Sequence, residues 1–185
     1  MTRFLTLLAT AAALSGTAAA ADAKIDRGHS GVLFKAHHFS AGYTWGRFND
    51  FEGTVSMDGN ALTGVNIAVK TESIDTGIDK RDKHLRSPDF FDAAAHPELT
   101  FVSTQVTEAS PGTYTVVGDL TLHGVTKSYT VEMTRTGEAD LPVMVGGGHA
   151  TGWETTFQIS QTDHGMTYDG IGDTAYVLVN LEVKS

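Results

Sequence analysis

The chain has 185 residues, with 13 Lys and Arg against 22 Asp and Glu and a formal net charge of -9. That length suits one domain with a real core, and the acidity repels nucleic-acid backbones and anionic lipid headgroups alike. Cysteine is absent, which excludes thiol catalysis, disulfides, Cys-linked haem and thiolate metal sites.

The opening "MTRFLTLLATAAALSGTAAA" carries Arg3, an apolar run from Phe4 to Leu14, and Ala18-Ala19-Ala20. It reads as a secretory signal over residues 1–20, cleaved after Ala20 or Ala21, and is too short to stay as a membrane anchor. Nothing later is long and apolar enough to span a bilayer. The expectation is therefore an exported protein with no stable membrane insertion, placed in the periplasm, whose folded domain covers residues 21–185.

From residue 24 onward, apolar and polar residues alternate. Eight such segments run over about 24–39, 43–58, 62–74, 98–107, 112–123, 126–136, 149–162 and 173–184. Val65, Ile67 and Val69 share a face, as do Trp153, Thr155, Phe157 and Ile159, and then Ala175, Val177, Val179, Leu181 and Val183. One apolar and one wet face mark antiparallel sheet. Short joints such as Asp58-Gly59-Asn60 and Ser110-Pro111-Gly112 make sequential neighbours pair. The predicted fold is all-β, an eight-stranded antiparallel up-and-down barrel, since closure removes the open edges.

Between the third and fourth strands, "IDTGIDKRDKHLRSPDFFDAAAHP" loses the alternation. Thr76 is positioned to cap a short helix with Asp79 in its first turn. Ser87-Pro88 then reads as the start of a second helical piece that ends near Ala95, ahead of Pro97. This excursion carries Leu85, Phe90 and Phe91, placed to plug a barrel end or to form a lid over a cavity mouth.

"GDLTLHGVTKSYTVEM", residues 118–133, resembles the hallmark strand pair of the YceI-like lipid-binding family. The chain is also similar to that family in "IDRGHSGVLFKAHH", in "GRFNDFEG", in "SIDTGIDKRDKHLRSPDFFDAAAHPELTF" and in the closing "GIGDTAYVLVNLE". It departs from the pattern at Ala23 and His164, where an aromatic is usual, and at Gln161, where Arg is common. The resemblance implies a lipocalin-like barrel holding a long-chain amphipathic lipid, typically a polyisoprenoid. It requires no cofactor, with an isoprenoid quinone a further candidate for the bound molecule. Such a protein needs few reactive groups, because burial of each methylene contributes about 0.8 kcal/mol.

The reactive side chains support no catalytic constellation. His37 and His38 are neighbours on a strand and face apart, and His29, His84, His96, His123, His149 and His164 lack a diagnostic metal-ligand spacing. Ser30 beside His29 has no elbow motif, and Gly146-Gly147-Gly148 lacks the Lys and helix of a phosphate loop. Asp75, Arg81, Asp82 and His84 read as helix-end and ion-pair partners. The residues expected to line a cavity are Phe34, Phe48, Leu85, Phe90, Phe91, Phe101, Trp153 and Phe157. The reading is of a non-enzymatic carrier, reservoir or sequestering protein for a lipid. An accessory partner of a membrane cytochrome or quinone system, an enzyme acting on an isoprenoid lipid, and a homodimer stay open beside it.

Overall fold

The structure is a computed structural model that describes residues 20–184. The expected signal segment lies outside the described residues except for Ala20. Strand segments β1 (Ala21–Ile25), β2 (Gly31–His38), β3 (Gly42–Phe48), β4 (Phe51–Asp58), β5 (Ala61–Lys70) and β6 (Ile74–Asp75) precede helix α1 (Asp79–Leu85). After it come β7 (Glu98–Ser110), β8 (Thr113–Leu122), β9 (Val125–Asp140), β10 (His149–Ser160) and β11 (Ile171–Lys184). No helix among the described residues is long and apolar enough to cross a membrane.

These eleven segments make the eight predicted strands, because three of the eight are bent. β1 and β2 are interrupted at Asp26, whose Oδ1 accepts from the Gly28 N–H at 2.9 Å in an Asx turn. β3 and β4 bend at Asn49-Asp50, and β5 and β6 are separated by a 3-10 turn over Thr71–Ser73. With each bent pair taken as one strand, neighbours pair antiparallel in sequence order round the ring. Val32↔Phe48 and Ala23↔Val55 join the first strand to the second, and Phe51↔Val69 and Phe48↔Ile74 join the second to the third. The ring closes where β11 meets the first strand, through Val179↔Val32 along β2 and Ile25↔Val183 beside β1. Closure leaves no edge strand among the described residues, as the predicted barrel expects.

The helical excursion is shorter than the sequence suggested. Thr76 does not cap α1: the position before the helix is Ile78, with no side-chain cap. Asp82 instead accepts at one oxygen from both the Thr76 N–H (2.9 Å) and the Thr76 hydroxyl (2.5 Å), so the helix reaches back to its own leader. The second helical piece is absent, and residues 87–95 form turns. The chain doubles back there, with the Phe91 N–H on Leu85 O (3.0 Å) and the Ala93 N–H on Arg86 O (3.0 Å). Asp92, at φ 42°, supplies the left-handed residue that this reversal needs and that a helix excludes.

The closing seam carries a charge cluster. Lys184, at the end of β11, pairs with Asp26, and His29 Nδ1 lies 3.1 Å from the same carboxylate. The Lys184 ammonium, then the His29 ring, holds the Asp26 carboxyl at about 2, below its ordinary 3.8. A depressed carboxyl pKa stabilises the fold above the unfolded value and ceases to do so as pH falls through the folded one. Asp26→Asn is therefore expected to lower the urea midpoint at neutral pH, with the gap from wild type shrinking between about pH 4 and 2. A gap that stays constant across that window in urea melts would show that the seam is not held by this charge.

Candidate functional site

Strand pleating sends alternate residues into the barrel, and the interior they enclose is divided along its length. At one end it is solid. Trp153 is completely buried, its ring centroid 5.7 Å from that of Tyr114, among Val55, Leu62 and Val183. One inward step along β10, at Thr155, a cavity of about 560 Å³ begins. Phe157 and Ile159 continue its wall towards the other end, opposite Val65, Ile67 and Val69 of β5. Its lining is predominantly aliphatic and aromatic, and its volume falls in the range of small-molecule sites.

Phe34, Phe48, Leu85, Phe90, Phe91, Phe101 and Phe157 all stand in this wall, whereas Trp153 does not. Trp153 shares the inward face of β10, but it lies too deep, and its indole belongs to the packed half. Two of the aromatic walls depend on glycine. A Cβ added at Gly118 would collide with the ring of Phe101, and one at Gly46 with the ring of Phe34. The tip of each ring therefore reaches a neighbouring strand at a position where no side chain interrupts it. That is the role of the first residue of "GDLT": it makes the wall thin enough to leave space inside.

The cavity opens at the end that carries the excursion. Lys80, Arg81 and His84 of α1, His38 and Phe39 of the β2–β3 turn, and Tyr168 and Asp169 before β11 surround the opening. Phe39 (68% exposed), Ile78 (52%) and Tyr168 (44%) leave an apolar rim in solvent. Within this rim most polar groups have partners. Arg81 donates from Nε to the Thr76 hydroxyl and from Nη2 to Thr76 O, both at 2.7 Å. His84 Nε2 lies 2.9 Å from Asp89 Oδ2, and Asp75 accepts from Asn49 Nδ2 (3.0 Å) and the Gly77 N–H (2.8 Å). Those hydrogen bonds, that from Asn49 foremost, hold the Asp75 carboxyl below its ordinary range. These groups brace the excursion, as the sequence implied. Phe39, Ile78, Met166 and Tyr168 were not anticipated, since they sit in turns and a helix leader where strand periodicity says nothing.

Two positions that depart from the family pattern take local roles. Gln161, in the cavity wall, donates from Nε2 to Gly172 O at 2.6 Å. His164 is fully buried and stacks on Tyr129, with centroids 5.9 Å apart and ring planes 12° apart. Its Nδ1–H donates to Val125 O (3.1 Å), leaving Nε2 to accept from the Tyr129 hydroxyl (3.0 Å). Burial pushes the Tyr129 phenol up, so it stays a donor. The imidazole thus fills an aromatic slot and also ties the β10–β11 connection to β9.

A YceI-like domain model matches residues 24–184, nearly the whole described chain. The chain belongs to the YceI-like family. A UPF0312 protein of Yersinia enterocolitica is 40% identical over 159 residues, covering 84% of this chain and 81% of that protein. Among solved structures, Burkholderia cenocepacia BcnA superposes with a TM-score of 0.74 at 22% identity, over 85% of this chain and 98% of its own. A polyisoprenoid binding domain from Saccharophagus degradans gives 0.68 at 18% identity, over 88% and 97%. These structures share the barrel.

In this YceI-like barrel the Thr155 hydroxyl stands in the wall, buried and, among the described residues, without a hydrogen-bond partner. An unpartnered buried hydroxyl costs about 1–3 kcal/mol. Thr155→Val, which keeps the shape, is expected to raise stability by about 1 kcal/mol in denaturant melts. A loss of stability would show that the hydroxyl is bonded in solution.

Proposed function

We propose that this protein holds the tail of one long-chain amphipathic lipid, a polyisoprenoid or similar molecule, inside the barrel as a carrier, reservoir or sequestering site. The observation that carries this reading is the apolar cavity of about 560 Å³, lined at one end by residues of the excursion. A hydrocarbon tail suits such a wall because it asks for no hydrogen bonds. One five-carbon isoprene unit contributes roughly 4 kcal/mol on burial. A few units exceed an association cost of about 4–15 kcal/mol without any charged anchor. The exposed Phe39, Ile78 and Tyr168 give the tail an apolar threshold to cross, while Lys80, Arg81 and His84 leave polar groups where a headgroup would emerge. The description of the Saccharophagus neighbour as a polyisoprenoid binding domain supports the same ligand class. An isoprenoid quinone fits this chemistry equally, since its tail is of the same kind. The signal-like residues 1–20 support export, and periplasmic residence is part of the proposal.

Native mass spectrometry of the purified protein tests this directly. The expected spectrum shows a single long-chain lipid retained per barrel, and the same spectrum reports whether the chain is monomeric or dimeric. Phe157→Asp and Phe101→Asp place a carboxylate in the apolar wall and should weaken retention by about 100-fold or more. Folding of each variant is checked by near-UV circular dichroism. A folded variant that keeps its lipid removes that residue from the site. A wild-type barrel that neither carries nor takes up a prenyl lipid overturns the proposal.

A further inference from the structure

Three motifs of this chain meet at one point, each through a polar residue that the lipid site leaves unused. "DFFD" ends in Asp92, "HPELTF" begins with His96, and "GDLTLHGVTK" contributes His123. The excursion folds back so that the ligand atoms of Asp92, His96 and His123 all lie within 4.8 Å of one another, each residue half-buried. We infer that Asp92, His96 and His123 form a binding site for a single divalent transition-metal ion such as zinc. Two imidazoles and one carboxylate are a donor set suited to Zn²⁺ or Fe²⁺, and three protein ligands leave a position for water or an anion.

Each donor is held in place by something other than the cluster itself. His123 Nδ1–H donates to His164 O at 3.1 Å, which fixes the tautomer and leaves Nε2 as the free donor atom. This is the outer-shell arrangement that metal-binding histidines commonly have. His96 occupies a slot over Gly124, where an added Cβ would lie 2.6 Å from its Cε1 and 3.0 Å from its Nδ1. The His96 and His123 rings are 4.8 Å apart, and the His96 carbonyl accepts from the Thr71 hydroxyl at 2.5 Å. Asp92 is set by the reversal itself, with its N–H on Ser87 O (2.9 Å) and its carbonyl accepting from the His96 N–H (2.8 Å). Asp92 and His123 both adopt the left-handed backbone region without being glycine, at φ 42° and 51°. Among the described residues, neither the Asp92 carboxylate nor the His96 ring has a side-chain hydrogen-bond partner to satisfy it.

Donors around a tetrahedral ion with bonds of about 2.1 Å sit about 3.4 Å apart, so binding requires the three side chains to close by up to roughly 1.4 Å. That closure would tie the turns carrying Phe90 and Phe91 to the β8–β9 turn. A second acid-histidine group, Asp26, His29 and Glu182, is a poorer candidate, because Asp26 is already paired with Lys184.

The test uses tag-free, chelator-treated protein titrated calorimetrically with Zn²⁺, and with Co²⁺ followed by visible absorption. The expected result is one equivalent of Zn²⁺ bound and a d–d spectrum for Co²⁺. Asp92→Asn and His96→Gln should each weaken binding tenfold or more and remove the cobalt bands. His29→Gln should leave both unchanged. Circular dichroism confirms folding, and Asp92→Asn, which keeps a residue tolerant of positive φ, serves if His96→Gln does not fold. The inference is overturned if wild type binds no stoichiometric ion, or if the folded Asp92→Asn protein binds as tightly as wild type. It is equally overturned if His29→Gln abolishes binding.

Discussion

An eight-stranded ring encloses a fixed and small volume, just enough for its inward side chains or for one slender guest. Everything in this molecule follows from how that volume is shared. Trp153, Tyr114, Val55 and Leu62 fill one half with buried apolar side chains. The other half stays open, and two of its wall residues, Phe34 and Phe101, reach into space that glycines leave on neighbouring strands. Gly46 and Gly118 carry this division, since a single methyl at either position would push a phenyl ring into the space it now borders. Packed interiors tolerate few voids larger than a water molecule. An apolar cavity of this size is therefore sustained only because the filled half and the closed ring supply the stability.

Closure is itself an electrostatic as well as a hydrogen-bonded event. The first strand bends at Asp26, so β11 has two short partners in place of one long one. The Asp26–Lys184 pair sits where those partners change over. Ser30 bridges the same gap, with its Oγ accepting from the Glu182 N–H at 2.9 Å. A bend at this point costs ladder hydrogen bonds and recovers part of them through side chains. The neighbouring bends at Asn49-Asp50 and Thr71–Ser73 answer it in the next two strands, which lets the barrel turn a corner without opening.

Much of this was readable beforehand, and the reason is periodicity. A repeat of two is imposed by the strand itself, so the eight strands and their order followed from alternation and turn residues. Alternation reports the face on which a residue lies and not its depth along the barrel. Trp153 was therefore indistinguishable from Phe157 on the same face of β10, although one is core and the other wall. The excursion was legible only as a break. Its second helix failed because capping signals at Ser87-Pro88 are local, while the reversal is decided by Asp92 and by bonds reaching back to Leu85 and Arg86. Phe39, Ile78 and Tyr168 lie in segments without a period, so nothing in their spacing marks them as rim.

The same limit explains the histidines. Metal-ligand spacing is recognisable in sequence when the donors share one helix or one hairpin. Here they come from a reversal, the approach to β7 and the β8–β9 turn, which meet only at the far end of the long β7–β8 ladder. The consequence reaches the cavity. Phe91 precedes Asp92 and packs edge-on against Phe48 at 5.6 Å, so any force that fixes Asp92 also fixes an aromatic wall. His164, through its carbonyl on His123 and its ring on Tyr129, links that corner to the β10–β11 connection and to β9. The mouth is thus bounded by segments that have few ladder bonds of their own and depend on such cross-links for their positions. A barrel that admits a long tail needs a mouth less rigid than its floor, and this chain places its irregular backbone at that end.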